Sequence, residues 1–157
     1  LNITSDTSCH MTLRNKKTKL IHQNPFLQAI IDQKYDIVYN MLKQNININE
    51  TSENGVSPLM QAAYLGQAHL CEKLIERGAY IDAEDENGRT PLMYVCFGDI
   101  EEAGDKNRNH TQVGHVLINC GADIHRLEYT RGISALDICK ANKNPLLRLL
   151  RRQTSKK

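Results

Sequence analysis

Leu70, Leu74 and Ile75 recur at helical spacing, and Glu72, Lys73, Glu76 and Arg77 are interspersed on the wetter sides. Gly78 follows and supplies the left-handed backbone that stops such a helix. Upstream, Ser57 stands before Pro58 and the run Leu59-Met60-Gln61-Ala62-Ala63. A hydroxyl residue ahead of a proline predicts a capped helix whose first turn has no amide hydrogen to lose, and the alanines let a second helix approach closely. Thr90 and Pro91 predict the same start again. Asn54-Gly55 and Asn87-Gly88 are tight-turn dipeptides. Each unit therefore reads turn, helix, loop, helix.

The units repeat. The glycines at 55 and 88 and the prolines at 58 and 91 are both 33 residues apart. Gly78-Ala79-Tyr80-Ile81-Asp82 and Gly121-Ala122-Asp123-Ile124-His125 mark the other end of the unit. A fixed period of this length means stacked units, none able to bury its apolar face alone. The expected fold class is all-α: a solenoid of helix-turn-helix units joined by β-hairpin-like loops. Its shared core is expected to hold Leu59, Ala62, Ala63, Leu70, Leu74, Ala79, Ile81, Leu92, Val95, Cys96, Val116, Leu117, Ala122, Ile124, Leu136, Ile138 and Leu147.

The pattern Gly-x-Thr-Pro-Leu-x-x-Ala-Ala-x-x-Gly, an apolar helix, then Gly-Ala-Asp-x-Asn resembles the ankyrin repeat. The resemblance covers about residues 22 to 153 as four units: 22–51, 52–84, 85–127 and 128–153. The second matches nearly throughout, with Ser57 for the usual threonine and Met60 for the usual histidine. The first is degenerate, opening on Asn24-Pro25-Phe26 and carrying Asn45 in the glycine position. The fourth has Ala135 in place of proline and Lys143 in place of the mid-repeat glycine.

The resemblance implies a non-catalytic protein-protein interaction module, an adaptor or scaffold, whose partner lies on a concave face of hairpin tips and first helices. Carried over by position, the tips are Glu53 and Val56, then Glu86 and Arg89, then Thr130, Arg131 and Ile133. The helix positions are Gln61, Tyr64 and Leu65, then Tyr94 and Phe97. Tyr64, Leu65, Tyr94 and Phe97, ringed by Glu53, Glu86 and Arg89, have the make-up of an interface centre with a polar rim.

The third unit departs from the period. Pro58 to Gly78 spans 20 residues, whereas Pro91 to Gly121 spans 30. About ten extra residues must fall between the two helices, over 97–110. One further residue enters the next hairpin, since Gly121 to Gly132 spans 11 where Gly78 to Gly88 spans 10. The insertion brings Glu101, Glu102 and Asp105 near His110 and His115 in sequence, which opens an alternative: an enzyme or metal-dependent activity centred on 97–115. Against it, there is no His-Glu-x-x-His spacing, nucleophile elbow or glycine-rich phosphate loop. His110 and His115 are also five apart, on different faces of any shared helix. No catalytic residue, metal ligand or cofactor is expected. A third alternative is a purely structural spacer in a larger protein.

Net charge is +2, so the whole molecule is no polyanion binder, and no aromatic interleaving supports base stacking. No apolar run approaches the length of a membrane span. The five cysteines, 9, 71, 96, 120 and 139, form no Cys-x-x-Cys pair. Four lie on predicted helices and read as small buried hydrophobes with free thiols, which points to the cytoplasm, with the nucleus as an option. Asn2, Asn49 and Asn109 each begin an Asn-x-Thr triplet that reads as accidental in so asparagine-rich a chain. Residues 1–21 carry Arg14, Lys16, Lys17 and Lys19 and read as a flexible basic arm. Residues 154–157 form a basic tail that offers contact with an anionic surface. Both outer units read as caps, with Arg148, Arg151 and Arg152 on the polar side of the last helix.

Overall fold

The computed structural model describes residues 24–98 and 109–155. The expected arm, most of the insertion and the end of the tail lie outside the described residues.

Eight helices and no strand are found among the described residues. They run as pairs: α1 (Pro25–Ile31) with α2 (Tyr35–Leu42), α3 (Pro58–Tyr64) with α4 (Ala68–Glu76), α5 (Pro91–Phe97) with α6 (His110–Asn119), and α7 (Ala135–Ala141) with α8 (Leu147–Thr154). The first helices pack in a row, α1 on α3, α3 on α5, α5 on α7, while α4 packs on α6 behind them.

The first helix of each pair starts on the cap its sequence offers, with one exception. Asn24 Oδ1 accepts from the amides of Phe26 and Leu27 at 2.9 and 3.0 Å. Ser57 Oγ accepts from the Met60 amide at 3.2 Å. Ser134 and Asp137 form a reciprocal capping box: the Asp137 amide donates to Ser134 Oγ at 3.3 Å and the Ser134 amide to Asp137 Oδ2 at 3.1 Å. Thr90 is the exception. It sits at the cap position in extended backbone but makes no side-chain cap bond, and its buried hydroxyl has no partner.

The loops inside the pairs close alike. The amides of Lys34, Gln67 and Asn144 donate to the carbonyls of Ala29, Ala62 and Cys139 at 2.9 to 3.0 Å. The geometry needs a left-handed residue. Gly66 supplies it with φ 69°, and Gln33 and Lys143 are forced into it with φ 56° and 53°. Gly78, at φ 86°, ends α4 as its position in the sequence requires.

Hairpins link the pairs. The amides of Ser52, Asp85 and Glu128 donate to the carbonyls of Val56, Arg89 and Ile133, so the extra residue of the last hairpin falls between Glu128 and Ile133. Neighbouring hairpins also bond: the Glu86 amide to the Asn54 carbonyl at 3.0 Å, and the Tyr129 amide to the Asn87 carbonyl at 2.7 Å. A second contact repeats between units. Asn49 Oδ1 accepts from the Tyr80 amide, and Asp82, one period later, accepts from the Asp123 amide.

One core runs through all four pairs. Of the expected core, Ile81, Ile124, Leu136 and Leu147 are only partly buried, since each lies at the margin of its pair. Met60, Met93, Cys71, Cys139, Leu146 and Leu150 are fully buried and join it. Each large apolar side chain buried this way contributes about 1.5–3 kcal/mol.

Candidate interaction surface

The hairpins carry their tips into solvent. Glu53, Glu86, Thr130 and Arg131 are exposed. Val56, Arg89 and Ile133 are half-buried, and Val56 and Ile133 lean on the core. Phe97, at the end of α5, lies under the Arg89 guanidinium, 5.3 Å from its ring centroid, an arrangement that contributes about 0.5–1 kcal/mol at exposed sites. Tyr64, at the end of α3, is half-buried.

Three residues expected on this face are turned in. Tyr94 is 4% exposed because its hydroxyl donates to Asp85 Oδ2 at 2.8 Å. The other oxygen of Asp85 accepts from the amides of Asn87 and Arg89, so Tyr94 ties helix α5 to its own hairpin. Gln61, one period earlier, is 4% exposed, packed within the row of first helices. Leu65 caps the end of α3 and is buried in the core. The surface left open is therefore the tips plus Tyr64 and Phe97.

Where the chain returns from the insertion, it docks on the second pair. The Asn109 amide donates to the Gly66 carbonyl at 2.8 Å, and His110 Nε2 lies 2.8 Å from the Tyr64 carbonyl. A carbonyl only accepts, so this bond requires the proton on Nε2. The imidazole fills space that two glycines leave open. A Cβ on Gly98 would lie 2.5 Å from His110 Nε2, and one on Gly66 would lie 2.9 Å from His110 Cε1. His110 is thus a packing wedge, while His115 is exposed. Glu101, Glu102 and Asp105 lie outside the described residues. No group of three or more His, Cys, Asp or Glu that could hold a metal occurs among the described residues.

A further feature of the hairpin side is not foreshadowed by the repeat pattern. Glu84 is bonded by both the Tyr129 hydroxyl and the Arg126 guanidinium, one unit away. The Glu84 contact raises the Tyr129 phenol above its ordinary range. The Tyr129 ring also covers Gly88, where a Cβ would meet it at 2.6 Å. Tyr129 is still 66% exposed, and Tyr80 and Leu127 are likewise open.

Two Asn-x-Thr triplets are committed to the fold. Asn49 bonds the Gly78 carbonyl and the Tyr80 amide, and Asn109 caps α6 through the Gln112 amide. Of the cysteines, 71, 96 and 139 are buried free thiols. Cys120 corrects the expectation of burial: it follows the last residue of α6 and is exposed. Burial pushes the Cys71 thiol well above its ordinary value.

Helix pairs joined by bonded hairpins, at a period of 33, leave one question of kinship, and a family comparison answers it. Residues 26–126 match the family model for ankyrin repeats in three copies. The chain belongs to the ankyrin repeat family. A comparison with curated proteins returned no match. The matched stretch holds the first three helix pairs, and the fourth continues the ankyrin stack through the Tyr129 to Asn87 bond. Ankyrin repeats are in general protein-protein interaction modules and typically non-enzymatic. No helix among the described residues is long and apolar enough to cross a membrane.

Proposed function

We propose that this ankyrin stack is a non-catalytic adaptor or scaffold that holds a protein partner along its hairpin tips and the adjoining ends of α3 and α5. The observation that carries the reading is Arg89 over the half-buried Phe97 ring, with Tyr64 half-buried at the end of the neighbouring first helix and Glu53 and Glu86 exposed on the hairpins. Apolar rings inside a charged rim are the composition of an interface centre. A stack cross-bonded at its hairpins is also pre-ordered, so docking costs little loop entropy on its side. Thr130, Arg131 and Ile133 extend the same edge to the fourth pair. The buried free thiols of Cys71, Cys96 and Cys139 favour the cytoplasm or nucleus as the setting.

The test is affinity capture with quantitative mass spectrometry, comparing the wild-type chain with Glu53→Arg/Glu86→Arg. Both residues are exposed, so the variant keeps its helical signal. Partners lost by at least about tenfold support the reading, since removing and reversing rim charges costs on the order of a kcal/mol or more. A partner set unchanged by this variant and by Phe97→Ala, with the fold intact, rejects it.

A further inference from the structure

Cys96 and Cys139 stand sulfur to sulfur at 2.7 Å. Cys96 lies on α5 and Cys139 on α7, the first helices of adjacent units, and both are fully buried. Two side-chain amides fix the pair. Asn142 and Asn144 Nδ2, in the loop after α7, reach the Cys96 carbonyl at 3.2 and 3.5 Å. The loop that follows the helix of Cys139 is thus anchored to the residue that carries the other thiol. Their sulfurs lie only some tenths of an ångström beyond the bonding distance of about 2.05 Å.

We propose that Cys96 and Cys139 are a site of oxidative modification, closed to a disulfide by hydrogen peroxide and thereby locking the fourth ankyrin unit onto the third. The Cys96 thiolate attacks one peroxide oxygen and breaks the O–O bond. This gives a sulfenic acid, and the departing hydroxide takes a proton to become water. The Cys139 thiol then attacks the sulfenic sulfur, an S–S bond forms, the S–O bond breaks, and a second water leaves with the remaining proton. Two thiols are oxidised and one peroxide is reduced.

Access sets the rate. Burial and the neighbouring thiol hold the Cys96 proton on far above the ordinary thiol range, so the closed form reacts slowly. Among the described helices α7 packs on α5 and α8, so the helices of the fourth unit meet the stack at α5, beside the hairpin bonds of Tyr129 and Arg126. Local opening there breaks the Asn142 and Asn144 contacts and bares both sulfurs together. Re-closing returns them to contact, which favours the internal disulfide over further oxidation. Once formed, the bond closes a loop between positions 43 residues apart and fixes Thr130, Arg131 and Ile133 against the Asp85–Arg89 hairpin.

The experiment uses the full chain with Cys9→Ser and Cys120→Ser, treated with hydrogen peroxide near stoichiometry. Intact mass under denaturing conditions is expected to fall by about 2 Da, the loss of two hydrogens on disulfide formation. An unreduced peptide map then joins Cys96 to Cys139, and the melting temperature rises by about 5 °C or more and falls back with a thiol reductant. Adding Cys139→Val to the same chain abolishes both the link and the reversible rise. Recovery of Cys96 and Cys139 as free thiols, as sulfinic acids, or linked to Cys71 in a chain that keeps its helical signal overturns the proposal.

Discussion

The Tyr94 hydroxyl, spent on Asp85, marks the limit of position-by-position reasoning. Its place on α5 was legible, but its direction depends on a hairpin folding back nine residues upstream. Removing that hydroxyl leaves Asp85 Oδ2 buried without its donor. Tyr94→Phe is therefore expected to cost about 1–3 kcal/mol in urea unfolding and to leave partner capture unchanged. A loss of capture at full stability would return Tyr94 to the surface. Lys143 gives the opposite prediction. It is exposed and held at φ 53°, a region that costs an L side chain about 1–2 kcal/mol. Lys143→Gly should raise stability by about 0.5–1 kcal/mol once the added freedom of the unfolded chain is set against that strain. The departure from glycine at 143 was visible in the sequence. That the backbone keeps its left-handed turn regardless follows from the closing bond between the Asn144 amide and the Cys139 carbonyl.

At the scale of elements, the capping box on α7 makes the fourth unit sensitive to acid. The Ser134 hydroxyl and amide, and then Lys140, hold the Asp137 carboxyl below its ordinary value of 3.8. A depressed carboxyl gives stability that is present above its unfolded value and is lost as pH falls through the folded one. Fluorescence or helical signal from the fourth unit should thus decline below about pH 3.8 in the wild type, and Asp137→Asn should remove that step. The insertion was legible in its length, from the spacing of Pro91 and Gly121, but its landing point was not. A departure from the period removes the register that located every other residue, so His110 read as a candidate for chemistry. It is a wedge between Gly66, Gly98 and the Tyr64 carbonyl. Gly98→Ala places a methyl 2.6 Å from that carbonyl, and thermal unfolding should show a loss of about 1–3 kcal/mol from overpacking.

For the whole molecule, the period, the caps and the turn glycines named the architecture because each is a local demand of the backbone that repeats. The bonds between units were not legible. Asn49 to Tyr80, Asp82 to Asp123 and Glu84 to Tyr129 join residues more than thirty apart, and each depends on how neighbouring units settle against one another. They also explain why so short a stack presents a fixed edge: the hairpins are tied tip to tip, and the outer helices are held by the same core. The proposed role requires this edge to receive the partner. Hydrogen exchange of the captured complex against the free chain tests it most directly. Added protection is expected at the hairpins of the second and third units, around Glu53–Val56 and Glu86–Arg89, with α2, α4 and α8 unchanged. Protection confined to those three helices, with the hairpin tips exchanging as in the free chain, would contradict it.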